Sequence, residues 1–185
     1  SGQSVSLSAD GSVVAIGAYL NDGNGSGSGH VRIYQNVNGT WTQVGNDIDG
    51  EAAYDYSGRS VSLSADGSVV AIGANYNSGE NGSDSGHVRI YQNIDGTWTK
   101  IGNDIDGEAV GDYSGWSVSL SSDGSVVAIG APYNDDNGSN SGHVRVYQID
   151  LDGKSPSITG PSGSAGDGNS SISINENSTA VHTFT

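Results

Sequence analysis

Apolar and polar residues alternate along this chain in short runs, and the same runs return three times. Ser4-Val5-Ser6-Leu7-Ser8 alternates with period two, valine and leucine on one face and serine on the other, the signature of a half-buried strand. Asp10-Gly11 follows, a pair that tolerates the positive φ of a tight hairpin turn. Ser12 to Ala18 is apolar on both faces, as expected of a central strand held between neighbouring sheets, and its small Gly17 and Ala18 leave room for another backbone. A polar loop, Asn21 to Gly29, leads to a third strand from His30 to Gln35, where Val31 and Ile33 alternate with His30, Arg32 and Tyr34. Asn38-Gly39 predicts a second hairpin turn, and Thr40 to Ile48, with the unit's single tryptophan, predicts a fourth strand.

The unit SGQSVSLSADGSVVAIGA at Ser1 returns as SGRSVSLSADGSVVAIGA at Ser57 and SGWSVSLSSDGSVVAIGA at Ser114. Its second half, GHVRIYQNVNGTWTQVGNDIDGEA from Gly29, returns from Gly86 with few changes. Long repeats of this kind predict a stacked or radial architecture in which no unit buries its own apolar face. Four short antiparallel strands joined by hairpins describe a β-propeller blade. A β-solenoid is the competing architecture, but its coils are shorter and lack the paired hairpin dipeptides. The predicted organisation is all-β: repeats at 1–56, 57–113 and 114–154, the last without its tryptophan strand, a Pro/Gly/Ser/Asp linker at 155–171, and at 172–185 an edge strand or the start of a further β domain. Closed propellers have about four to eight blades, so the ring is expected to be incomplete. Either more repeats precede Ser1 in a longer parent, the reading that the cut ends and missing methionine favour, or copies of the chain complete a ring together.

Composition narrows the function. Thirty glycines would suggest disorder if the apolar residues were scattered, but they are grouped into strands. The formal charge of −15, from 21 acidic and 6 basic residues, disfavours nucleic acid as a partner and is compatible with calcium, basic partners or a soluble acidic exterior. The absence of cysteine excludes thiol chemistry and cysteine zinc sites, and no apolar run approaches membrane-spanning length.

Within the repeat, GWSVSLSSDGSVVAIGAP (ending in Gly130-Ala131-Pro132), the later GHVRVYQ and the tryptophan strand resemble the FG-GAP repeat of integrin-α-type propellers and their bacterial relatives. The resemblance covers about residues 1–149. Ser57-Gly58 and Ser114-Gly115 stand where the family has Phe-Gly, and Tyr19 and Asn75 replace the proline in the first two units. The resemblance implies an Asp-rich calcium loop between the first two strands. Here Ala9-Asp10-Gly11, Ala65-Asp66-Gly67 and Ser122-Asp123-Gly124 offer one carboxylate each, short of the about six to eight oxygens calcium takes, so that site is not carried over. The stretch SISINENSTAVHTFT resembles the opening strand of cadherin-like modules, which implies a calcium role for Glu176.

Elsewhere the best oxygen clusters are Asp47, Asp49, Glu51 and Asp55, repeated as Asp104, Asp106, Glu108 and Asp112. Carboxylates at alternate positions before a glycine can converge on calcium, but Asp-Gly is also turn chemistry, and Ile48 and Ile105 suggest strand ends with acids in solvent. The loops around Asp22, Asn24, Glu80, Asp84, Asp135, Asp136 and Asn137 vary between units and are read as plain loops or variable contacts. His30, His87 and His143 recur at equivalent positions, which point in rotated directions on successive blades, so they read as structural rather than as a shared zinc site. No nucleophile–base pairing follows from motif spacing, and no catalytic residue is assigned. The expected function is a non-enzymatic extracellular or cell-surface scaffold, part of a longer protein, binding a protein or glycan on its loop rim. The alternatives are a self-assembling structural protein that uses open blade edges and the C-terminal strand, and part of an enzyme whose active site lies outside this segment.

Overall fold

The computed structural model describes residues 1–151, and the linker and the C-terminal segment with Glu176 lie outside that range. Among the described residues, twelve strands form three antiparallel sheets. The first holds β1 (Ser4–Leu7), β2 (Val13–Gly17), β3 (His30–Val37) and β4 (Thr40–Gln43) in that order, with β5 (Ile48–Asp49) pairing again with β3. The second holds β6 (Ser60–Leu63), β7 (Val69–Ala74), β8 (His87–Ile94) and β9 (Thr97–Asp106). The third holds β10 (Ser117–Leu120), β11 (Val126–Ala131) and β12 (His143–Gln148), which are its strands among the described residues. The fourth strand foreseen as one piece is broken into β4 and β5 in the first sheet but runs through β9 in the second.

The two hairpin dipeptides behave differently. Asn38-Gly39 and Asp95-Gly96 have positive φ at both residues and close two-residue turns between Val37 and Thr40 and between Ile94 and Thr97. Asp10-Gly11 sits instead in a longer loop in which the glycine alone has positive φ, and the carboxylate is consumed locally. Asp10 Oδ1 accepts from Ser8 Oγ (2.7 Å), Ser12 N (2.9 Å) and Ser12 Oγ (2.8 Å). Asp66 and Asp123 repeat this serine–aspartate lock. Hydrogen bonding from the turn holds Asp10 and Asp123 down to about 2.

The sheets pack face to face as successive blades, with β1, β6 and β10 side by side as inner strands. The central strand β7 shows why its sequence is apolar throughout. Val70 and Ile72 face the first sheet, in a core with Val13, Ala15, Val31, Ile33 and Ile48, while Val69 and Ala71 face the third sheet, with Val127, Ile129 and Tyr147. Each blade thus completes its neighbour's core, and burial of these apolar faces is the main cohesive force. The serine face of the inner strands is not simply turned to solvent, as period-two alternation alone suggests. Ser6 Oγ accepts from Leu63 N (2.9 Å) and Ser62 Oγ from Leu120 N (2.9 Å), while Ser4 Oγ donates to Gly58 O (2.8 Å) and Ser60 Oγ to Gly115 O (2.7 Å). These hydroxyls tie each inner strand to the next blade.

Candidate functional site

Each third strand opens on a buried histidine followed two residues later by an arginine. The hairpin that follows returns the fourth strand opposite it, so that His30 pairs with Asp49 and His87 with Asp106 in the sheet register. Among the described residues, three groups have ligand atoms within 4.8 Å of one another: His30, Asp47 and Asp49; Glu51, His87 and Asp104; and, with Asp136 from the loop before β12 in place of a returning strand, Glu108, Asp136 and His143. Each could hold a metal ion. In each, the nearby arginine already supplies a positive charge. Arg32 forks onto Asp47 (Nε–Oδ1 2.9 Å, Nη2–Oδ2 2.7 Å), and Arg89 forks onto Asp104 at the same two distances. Arg89 also pairs with Glu51 across the blade boundary, Lys100 pairs with Asp104, and Arg145 Nη1 lies 3.5 Å from Glu108 Oε1.

The charges respond accordingly. The Arg32 hydrogen bond holds Asp47 down to about 2. Burial works to raise Asp104, but hydrogen bonds from Arg89 and Lys100 outweigh it and leave Asp104 at about 2. Burial pushes His87 down to about 4, with the Arg89 charge adding to the effect, and His30 is lowered for the same reasons.

The acidic residues expected to converge are therefore divided among different neighbours. Asp47 and Asp49 stay with His30 on their own blade, whereas Glu51 crosses to His87 and Asp104 on the next, and Glu108 crosses to His143. Asp106 lies near Asp104, raised by burial and by that charge. Asp55 and Asp112 belong to none of these groups; both are buried. Asp55 accepts from Ala52 N (3.0 Å), and Asp112 accepts from Ala109 N (3.1 Å) and from Asn134 Nδ2 (3.0 Å). They brace the segments between blades. The three repeated histidines fall into three separate groups. Among the variable loops, Asp22 and Asp135 cap their own turns, and Asn24 reaches Gly50 O (2.8 Å).

A second feature lies beside these groups. Tyr19, Tyr56, Tyr76, Tyr113 and Tyr133 form an unbroken row of edge-to-face rings across all three blades, with centroid separations of 5.5, 4.9, 4.8 and 5.3 Å. Trp116 joins at 5.8 Å from Tyr133, and the Arg59 guanidinium lies 4.9 Å from the Trp116 ring and 5.6 Å from the Tyr19 ring. Tyr56 and Tyr113 are held at φ 56° and 54°, and neighbouring Tyr54 at 70°, a conformation costing a bulky residue about 1–3 kcal/mol. Next to the row opens a cleft of about 970 Å³ lined by Tyr54, Tyr76, Glu80, Asp84, Lys100 and the Glu51–His87–Asp104 group.

Three repeated antiparallel sheets, packed face to face through neighbouring inner strands and left as an open arc, are blades of a β-propeller. The FG-GAP repeat family model matches residues 47–91 and 105–147, and the chain carries FG-GAP repeats over that stretch. Both matched segments begin beside the acidic stretch and end in the third strand of the blade to which it crosses. Solved structures agree on the fold. A candidate 6-phosphogluconolactonase of Bacteroides uniformis is 16% identical with a TM-score of 0.53, over 85% of this chain and 41% of that one. A periplasmic gluconolactonase of Pseudomonas aeruginosa is 18% identical with a TM-score of 0.50, over 78% of this chain and 38% of that one. The chain thus spans less than half the length of either. No curated protein matches the sequence.

Proposed function

We propose that the chain is a non-catalytic recognition scaffold of the extracellular space or cell surface, and that its ligand surface is the rim bearing the tyrosine row and the acidic cleft. The row itself carries this reading. Rings with an apolar body and a polar tip, partly open to solvent, suit contact with a ligand, and strained backbone at Tyr54, Tyr56 and Tyr113 is the kind of cost that accumulates at functional surfaces. Sugar rings offer C–H faces for the aromatic groups and hydroxyls for Glu80, Asp84 and the neighbouring amides, so a glycan fits best, with a protein ligand second. At 16–18% identity the lactonase neighbours support a shared fold and bring no activity with them.

Binding of the intact chain to arrays of glycans and matrix proteins tests the reading. Tyr76→Ala and Tyr133→Ala should each weaken capture about tenfold or more, as central aromatic contacts do. Capture that is unchanged in both variants, or no capture of any glycan or protein by the wild type, would remove the proposal.

Calcium is not required by this reading. A divalent ion at the histidine groups would have to displace a guanidinium already paired with the same carboxylates. Melting temperatures in calcium and in chelator are expected to agree within about 2 °C. A rise of several degrees in calcium would show that the cation wins, since a ligand binding only the folded state stabilises it.

A further inference from the structure

The opening segments of the three units, 1–18, 57–74 and 114–131, differ at two positions only. One is Ala9, Ala65 or Ser122 in the serine–aspartate turn. The other is Gln3, Arg59 or Trp116, a different chemistry in every unit, and both Arg59 and Trp116 reach the tyrosine row. Arg59 belongs to the middle blade and meets rings from both of its neighbours. Its guanidinium carbon lies 5.6 Å from the centre of the Tyr19 ring of the first blade and 4.9 Å from the Trp116 ring of the third.

Arg59 differs from the other basic side chains described. Arg32 pairs with Asp47, Arg89 with Asp104 and Glu51, Lys100 with Asp104, and Arg145 with Glu108. The Arg59 guanidinium has rings as its partners and, among the described residues, no carboxylate, in a chain with 21 acidic residues and 6 basic ones. A guanidinium over an aromatic face uses its flat π surface and keeps its N–H edge for a planar acceptor in a bidentate fork. The residue is half-buried and already oriented by two rings, so it loses little side-chain freedom on binding. Beside it the row is open: Tyr133, 5.8 Å from Trp116, is 42% exposed. Tyr19, Arg59, Trp116 and Tyr133 do not line the acidic cleft, so its carboxylates, Glu80 and Asp84 among them, belong to a different part of the rim.

We infer that Arg59 determines the specificity of the rim and that the ligand is an acidic glycan, a uronic-acid ring packing on Trp116 and Tyr133 while its carboxylate accepts the Arg59 fork. This rests on the reading of the tyrosine rim as a glycan surface and narrows it. The site asks for an apolar face and a planar anion side by side, and a uronate carries both within one sugar unit. Over the rest of this acidic surface the same carboxylate is repelled, so Arg59 also fixes where the sugar lands.

Calorimetric titration of the intact chain with oligogalacturonate, oligomannuronate and hyaluronan oligosaccharides, each beside its own carboxyl-reduced neutral form, tests it. At least one acidic oligosaccharide should bind about tenfold or more tightly than its neutral form, as a charge-assisted hydrogen-bonded contact allows. Arg59→Gln should remove that preference and leave binding of the neutral form unchanged; glutamine already stands at this position in the first unit, so the blade accepts it. Arg59→Lys, which keeps the charge without the fork, should retain only part of the preference. Equal affinity for acidic and neutral forms, a preference that survives Arg59→Gln, or an equal loss of both forms in that variant overturns the inference and leaves the glycan rim standing. Binding of none of these sugars also overturns it, and Arg59-dependent capture of a polyglutamate peptide would then assign the guanidinium to a protein ligand.

Discussion

Replacing Gly73 with alanine is expected to destabilise the chain by about 3 kcal/mol or more, toward the upper end of what overpacking a core costs. The added Cβ would lie 2.1 Å from Gly115 O and 2.4 Å from Ser60 Oγ. Neither can yield cheaply. Ser60 Oγ donates to that same carbonyl at 2.7 Å, and Gly115 is fixed at φ 84° with its own N–H bonded to Gly130 O at 3.2 Å. Relief would require the second and third blades to separate, opening the core around Val69, Val127 and Ile129. Gly130 holds the equivalent position and serves as the control. Its Cβ would meet only Ser117 Oγ closely, at 2.4 Å, with the next atom at 3.8 Å, and this hydroxyl is exposed and free to rotate. Gly130→Ala should therefore cost less than about 1 kcal/mol in dilute, monomeric protein, because alanine is otherwise better suited than glycine to a strand. Urea unfolding midpoints of the two variants decide the matter. Equal losses would mean that the approach of the next blade is not what keeps this position a glycine.

That close approach was legible in the sequence, as was the blade of antiparallel strands. Period-two alternation, paired hairpin dipeptides and repetition are local signals, and local backbone physics produces them directly. What alternation does not distinguish is water from a neighbouring sheet. Ser6 and Ser62 belong to a face that reads as polar, yet their hydroxyls bond the next blade's backbone. The acidic stretch failed as a single cluster for a related reason. Asp47 and Asp49 stay beside their own His30, while Glu51 lies past the strand end and reaches the next blade, and Asp55 turns inward to brace the linker. Residues adjacent along the chain are thus carried to different neighbours in space. The histidines were rightly read as separate, but their carboxylate partners emerge only once the hairpin register is known. The tyrosine row lies in the connecting segments, at positions that only partly correspond between units, so a reading based on repeats passed over it. A signal was present: a tyrosine precedes the Ser-Gly of both later units, and one follows the central strand in every unit.

Acid should weaken the fold well above the range in which carboxylates titrate, and His87 is the reason. In the unfolded chain this imidazole takes a proton near its ordinary 6.5, but in the folded chain only near about 4, because it is buried and Arg89 stands beside it. Asp104, 3.7 Å from His87 Nδ1, pulls the other way, but its charge is largely taken up by Arg89 and Lys100. Between those two values the unfolded state binds more protons, so stability falls as pH falls; the contribution is complete above the ordinary value and gone below the lowered one. A shift of this size corresponds to about 3 kcal/mol at neutral pH. His30, lowered in the same direction, adds to the loss, while Asp55 and Asp106, both raised by burial, take up protons earlier in the folded state and offset part of it. Asp47 and Asp104, held at about 2, produce a second decline only below the ordinary carboxylate range. The expected curve of unfolding free energy against pH therefore has two steps. His87→Gln, which keeps polarity without a titrating proton, should flatten the upper step and leave the lower one. Parallel curves for wild type and variant from neutral pH to about pH 4 would show that His87 does not govern the upper step.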